Sequence, residues 1–158
     1  MGLSLSNWGE SLDKLQKLQN KVEDDYFKSK STKFGTSLTA ITLIQNANVF
    51  TATDKGLLKN VHVLIENGKI LSVDTQFPKI KVDRTIDGTG KTLMPGLWDM
   101  HTHMSLQDGF LNMAAGVTSV RDMANKHETV MQVTSLFETT QAIGPSVYRA
   151  GFIDKKSP

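Results

Sequence analysis

Leu93-Met94-Pro95-Gly96-Leu97-Trp98-Asp99-Met100-His101-Thr102-His103-Met104 is the stretch on which the fold turns. A Pro-Gly turn signal opens it, a short apolar strand comes next, and a His-x-His pair closes it. Side chains alternate between the two faces of a strand. Simple alternation puts Asp99, His101 and His103 on one face and Trp98, Met100 and Thr102 on the other. Two imidazoles spaced by two residues sit about 7 Å apart along a strand. They can lean together onto one divalent ion, or hydrogen-bond loop backbone at the strand end. His-x-His is a weak motif in isolation, and its place in the chain order strengthens it.

Downstream, Leu106 to Ala115 reads as a short apolar helix closed by Ala114-Ala115-Gly116. Val117-Thr118-Ser119-Val120-Arg121-Asp122 is then a β-rich strand ending in charge. Glu128 to Ile143 carries Val130, Val133, Phe137 and Thr140 at helical spacing, with Gly144-Pro145 as its stop. Ser146 to Gly151 is a third strand. Strand, helix, strand, helix, strand predicts two βα crossovers and a parallel sheet. The histidines then lie at the C-terminal end of the first parallel strand, where α/β barrels build their sites. Asp99 can orient an imidazole or hydrogen-bond a neighbouring strand, and the strand is the simpler role. Arg121 and Asp122 end the second strand on the same rim, as an ion pair and backbone contact or as contacts to substrate. His127 begins the second helix and is expected to be exposed. The scattered methionines read as core and loop filler.

Upstream, Leu38 to Thr92 reads as short strands. Ile41 to Ile44 and Asn46 to Phe50 are two candidates, and Val61 to Glu66 is a third. Asn67-Gly68 signals a tight hairpin into Lys69 to Val73, and Thr85 to Asp87 is a further strand. A small antiparallel sandwich or sheet is expected, with His62 as an ordinary strand residue. Before it, Ser6 to about Lys30 predicts an amphipathic helix with Trp8, Leu12, Leu15, Leu18, Val22 and Tyr26 on one stripe. Asn7 and Glu10 resemble a capping box. The expected role is a packing extension, with a partner-binding helix as the alternative. These signals divide the chain into three domains, at 1–37, 38–92 and 93–158.

Bulk properties exclude several classes. The chain has 158 residues, 39% hydrophobic and 22% charged, which is a globular composition. A net charge of +2 without a dense basic block argues against nucleic acid or an anionic membrane. No run reaches the roughly 18 apolar residues of a membrane span, and Met1 to Asn20 lacks the pattern of a secretory signal. With no cysteine, thiolate metal sites and disulfides are impossible. A cytoplasmic protein is the expectation.

Three linked runs carry a family resemblance. Ile65-Glu66-Asn67-Gly68-Lys69-Ile70, Ile86-Asp87-Gly88-Thr89-Gly90-Lys91 and Leu93 to His103 closely resemble the N-terminal part of metal-dependent amidohydrolases, of the imidazolonepropionase-like and dipeptidase-like kinds. Ala115 to Met123 resembles their second barrel strand and Gly144 to Gly151 their third. The likeness covers about Leu43 to Pro158 and leaves the N-terminal helix unassigned. It implies an α/β fold, an incomplete (β/α)₈ barrel limited to its first three strands, preceded by part of a small β-sandwich and a helix. His101 and His103 match the first two metal ligands, for one or two divalent ions of the zinc type. Hydrolysis of an amide, lactam or dipeptide bond by a metal-activated water is the implied activity, on a small-molecule or peptide substrate.

The departures from the family are specific. Its bridging ligand, two further histidines and its aspartate base come from later strands that this sequence does not contain. A whole barrel needs roughly 250 residues, and the run from Met94 to Pro158 is about a quarter of that. No catalytic residue beyond the two metal ligands is therefore assigned. The chain is expected to be a truncation, a disrupted gene product or half of a split enzyme, and catalytically incomplete by itself. The other reading is a non-catalytic remnant or assembly module. In either case an open parallel edge and an uncovered inner face predict self-association or a complementary fragment.

Overall fold

The computed structural model describes residues 9–35 and 39–151. Trp8 and the Asn7 half of the expected capping box lie outside the described residues, as does the Glu10 side chain. The chain divides into two compact units. One comprises the described part of 36–95. The other combines the N-terminal helix with the residues from Gly96 onward, so the helix is not a unit of its own.

The strand unit is a single five-stranded sheet, built from β1 (Thr42–Phe50), β2 (Leu57–Glu66), β3 (Lys69–Asp74), β4 (Arg84–Asp87) and β5 (Thr92–Leu93). The two segments read as separate strands at 41–50 are one strand. Register shifts between Ile44 and Val49 kink it, with Asn46 at φ 58°. β1, β2 and β3 run antiparallel in sequence. The Asn67-Gly68 hairpin forms as predicted, with both residues at positive φ (51° and 71°) and Glu66 opposite Lys69.

The expected all-antiparallel arrangement does not hold. β4 and β5 both run parallel to β1, along the side not taken by β2. The reason is the connection at 75–83, which carries the chain from the far edge strand β3 past two strands, to an order β3-β2-β1-β4. Between β4 and β5 the Asp87–Lys91 loop interrupts what is otherwise one line of pairing. Gly88 lies close against β1 there. A Cβ on Gly88 would stand 2.7 Å from Ala47 Cβ and 3.0 Å from the Gln45 carbonyl, whose oxygen accepts the Gly88 amide. Val49, Val61 and Val63 form the core, flanked by Ile44, Leu58, Ile65 and Leu93.

Buried His62 belongs to the same sheet. Its ring packs on Phe77 at 4.1 Å, and its Nδ1 accepts the Asn46 amide at 3.3 Å. That contact satisfies one of the donors released by the kink in β1.

The second unit contains α1 (Gly9–Phe34), β6 (Leu97–Thr102), α2 (Leu106–Ala114), β7 (Val117–Asp122), α3 (His127–Glu138) and β8 (Ser146–Arg149). The strands form a parallel sheet in the order β6-β7-β8, as two consecutive crossovers require. The class is therefore α/β. Met104, Leu106, Val120, Val133 and Ala142 make the core, with Phe27 of α1 packed against it.

α2 starts with a reciprocal cap. Ser105 Oγ accepts the Asp108 amide at 3.2 Å, and Asp108 Oδ2 accepts the Ser105 amide at 3.1 Å. Gly116 lies just past its C-terminus at φ 81°, the left-handed value that ends helices.

α3 stops at Glu138, five residues before the predicted end. Thr139 donates its hydroxyl to the Ser135 carbonyl at 2.6 Å, and Thr140 turns to φ 57°. β-branched residues with backbone-seeking hydroxyls weaken a helix interior, and the chain then folds back so that Ala142 enters the core.

Two outcomes test the strand unit. Gly88→Ala should lower its unfolding free energy by about 1–3 kcal/mol, the usual cost of overpacking, read as a fall in thermal midpoint. Exposed Asp87 has its carboxyl held below the ordinary value by the Thr89 hydroxyl, then by the Thr89 amide. A depressed folded pKa stabilises above the unfolded value and is lost as pH falls through the folded one. An NMR titration of Asp87 should place its midpoint below the ordinary aspartate value, and Thr89→Ala should raise it.

Candidate metal centre

The histidine pair closes β6, and each neighbour in the sequence fixes part of its position. Asp99 Oδ1 accepts the His101 amide at 2.9 Å. That bond is local and accompanies a bulge. Asp99 lies in register with Val120 and Thr102 with Asp122, so three steps on β6 match two on β7. Asp99 is thereby placed opposite the fully buried Val120. Strict alternation with His101 and His103 does not hold, and the carboxylate braces the backbone of the bulge.

After His103 the chain is anchored in the interior. Met104 is 1% exposed and part of the core. Its amide donates to Asp122 Oδ2 at 2.7 Å, and its carbonyl accepts from Asn125 Nδ2 at 2.9 Å. Asn125 also donates to Asp122 Oδ2 at 3.1 Å. Asp122 is 2% exposed. Its carboxylate sits behind the connection from β6 to α2 and holds it against the end of β7. Sequence reasoning singled out Asp122 and missed Asn125. Its one signal was an amide side chain three residues past the charged end of a strand and just before a helix.

Between these two anchors the imidazoles of His101 and His103 stand exposed, with ring centroids 5.6 Å apart and planes at 82°. Two imidazoles on one zinc-type ion, each bound at about 2.0–2.1 Å, place their centroids roughly 5–5.5 Å apart. The pair therefore fits two positions of one coordination shell with a small movement. Among the described residues no group of three His, Cys, Asp or Glu that could hold a metal ion converges.

The surroundings sort the other predicted residues. Arg121 is exposed, in register with Tyr148 of β8. Trp98 and Tyr148, on the two strands flanking β7, meet across it at 4.9 Å, where Trp98 is paired with the small Ser119. Both rings remain about half exposed, as do Leu97 and Met100. His127 is the exposed first residue of α3. A cleft of about 570 Å³ opens at the C-terminal ends of β7 and β8, lined by Asp122, Asn125, Lys126, His127 and Arg149 among others. Neither His101 nor His103 lines it.

Three linked motifs, a parallel βαβαβ sheet and a His-x-His at the end of its first strand now stand together. No family model matches the chain. It is 36% identical over 64 residues to the 5-methylthioadenosine/S-adenosylhomocysteine deaminase of Caldanaerobacter subterraneus subsp. tengcongensis, covering 40% of this chain and 15% of the relative. To the imidazolonepropionase of Christiangramia forsetii it is 34% identical over 89 residues, covering 52% and 21%. Among solved structures, a prolidase complexed with N-methylphosphonate-L-proline superposes with a TM-score of 0.55 at 29% identity, over 70% of this chain and 32% of that one. These relatives and structural neighbours are amidohydrolases, and this chain is similar to a part of each. It spans about a fifth or less of the length of the curated relatives it matches. No helix among the described residues is long and apolar enough to cross a membrane.

The buried clamp has a measurable weight. Asp122→Ala leaves the Met104 amide and the Asn125 side chain without their shared acceptor, and should cost about 1–3 kcal/mol or more of stability. Asp122→Asn keeps one acceptor and should recover part of the loss. Chemical denaturation of the parent and the two variants gives the comparison.

Proposed function

We propose that this chain supplies the entry strands of a metal-dependent amidohydrolase barrel, with His101 and His103 as two ligands of a divalent cation, zinc in the first instance. The observation that carries the reading is the geometry of the pair: two exposed imidazoles 5.6 Å apart, at the C-terminal end of the first parallel strand, with the backbone fixed on both sides. The names of the relatives, a deaminase, an imidazolonepropionase and a prolidase, all denote reactions at a C–N bond. Hydrolysis of such a bond in a small molecule or peptide is the activity we assign to the complete assembly.

A divalent cation in such a site supplies an activated water and polarises the substrate carbonyl. This chain's residues have narrower tasks. His101 and His103 donate ring nitrogens. Asp99 fixes the His101 backbone, and the Asp122–Asn125 pair fixes the residue after His103. Arg121 stands on the face of the sheet shared with Trp98 and Tyr148, where a substrate carboxylate or carbonyl can meet a guanidinium. The remaining ligands and the general base come from βα units that this sequence does not contain.

A second reading rests on the same sheet. Trp98, Tyr148, Met100 and Leu97 leave half-exposed apolar surface around Arg121 on its inner face. Contiguous exposed apolar surface marks an interaction site. A complementary set of βα units, in the same polypeptide or another, is the partner that face fits. In that reading the chain is an assembly module, and turnover requires the partner.

Zinc titration by calorimetry separates these possibilities. Removal of residues that merely support metal ligands costs about 10–100-fold in affinity, so His101→Ala and His103→Ala should each cost at least that. Zinc binding unchanged in the double variant would overturn the metal assignment. Amidase or deaminase activity that emerges only on adding downstream βα units supports the module, whereas turnover by this chain alone excludes it.

A further inference from the structure

The unassigned helix α1 is attached to its unit by the wrong face for an amphipathic helix. At about 100° per residue, Leu15, Leu18, Val22 and Tyr26 form one apolar stripe, and Asn20, Glu23, Asp24, Phe27 and Ser31 lie about 150° around the axis from it. The second set faces the unit. Asn20, Glu23 and Asp24 border a cleft beside Leu106 and Val133. Phe27 packs on the core and on Phe110 at 6.0 Å. Ser31 is buried, and its Oγ accepts the Ile143 amide at 2.7 Å. The apolar stripe points away, with Leu15, Leu18, Val22 and Tyr26 exposed by 55, 53, 69 and 52%.

We infer that this stripe is a dimerisation surface, on which α1 of a second copy of this chain packs antiparallel. Charge placement chooses both the partner and the direction. Lys14 and Asp25 flank the same side of the stripe, near its opposite ends, and both are exposed. An antiparallel pair with its twofold axis near residues 19 and 20 sets Leu15 and Leu18 of one copy against Val22 and Tyr26 of the other. It also brings Lys14 opposite Asp25 twice, once at each end. A pair in the same direction and register puts each stripe residue beside its own copy and brings no Lys14 to Asp25. Self-complementary placement of this kind is what a twofold interface demands. The surface is independent of the histidine pair and of the inner sheet face.

Analytical ultracentrifugation of the chain provides the test. The parent should sediment as a concentration-dependent dimer. Val22→Asp should shift it to monomer with far-UV circular dichroism unchanged. Association through the sheet face would ignore that substitution, so a dimer that survives Val22→Asp overturns the inference, as does a parent that stays monomeric at its solubility limit. Lys14→Asp or Asp25→Lys alone should weaken the dimer by about tenfold, and the two together should restore it. Failure of the double variant to recover overturns the antiparallel pairing. Because the chain has no cysteine, single thiols report the direction cleanly. With Gln19→Cys a short bis-maleimide should join two copies. With Ser29→Cys it should not, because antiparallel packing separates those positions by about 28 Å along the axis. Linking at both positions would show parallel helices.

Discussion

A buried carboxylate organises the end of the parallel sheet. Asp122 is almost fully enclosed and accepts from the Met104 amide and the Asn125 side chain. A polar group in the interior is tolerable only when hydrogen bonds satisfy it, and here those bonds tie three elements together. They join the end of β7, the turn after β6 and the approach to α3. Asn125 completes the arrangement by donating to the Met104 carbonyl as well. The residue immediately before Met104 is the second histidine. Its backbone position is therefore set by buried polar contacts and by the Met104 side chain in the core, while its imidazole is left to face outward. Core packing and the exposed imidazole are thus produced by adjacent residues with opposite burial.

The strand unit shows the same coupling of polar contacts to backbone irregularity. β1 carries shifts in its pairing where Asn46 takes a positive φ, and buried His62 accepts the amide turned out of the ladder. Gly88 lets the chain after β4 lie against that strand. A glycine of this kind is required by proximity and not by dihedral angle, because the positions its Cβ would fill are held by Ala47 and the Gln45 carbonyl.

Much of both units was legible because the signals are local. Asn67-Gly68 dictates a tight hairpin through φ, Gly116 ends α2 through the same property, and Pro95-Gly96 marks the entry to β6. Hydrophobic periodicity carried the order of strands and helices, and the family resemblance agreed with it. What escaped depends on distant partners. Periodicity extends α3 to Ile143, but Thr139 and Thr140 compete for backbone groups and end it at Glu138. A strand's direction in a sheet depends on the route of its connection, so the parallel course of β4 and β5 was invisible in their residues. The stripe on α1 was read from its period, yet period cannot say whether the apolar face or the other one docks. At the candidate site, His101, His103 and Asp122 were singled out by residue type and place. The Asn125 contact was missed because an asparagine in a loop has no pattern until the fold brings it to Met104.

The irregular pairing of β6 with β7 has a consequence for how this segment can change over time. Leu97 pairs with Val117 and Thr102 with Asp122, the same offset at both ends, while Trp98 and Asp99 between them are displaced by one residue. Two slips of opposite sense cancel. The frame entering the strand and the frame leaving it agree, and the middle is out of step with both. An inserted or deleted residue in a regular strand exchanges its inner and outer faces throughout. Here a slack position already exists on each strand, so a length change in one can be absorbed by its counterpart before it reaches the histidines. Local irregularity acts as mechanical insulation, allowing the entry to the strand to drift while the exit keeps its orientation.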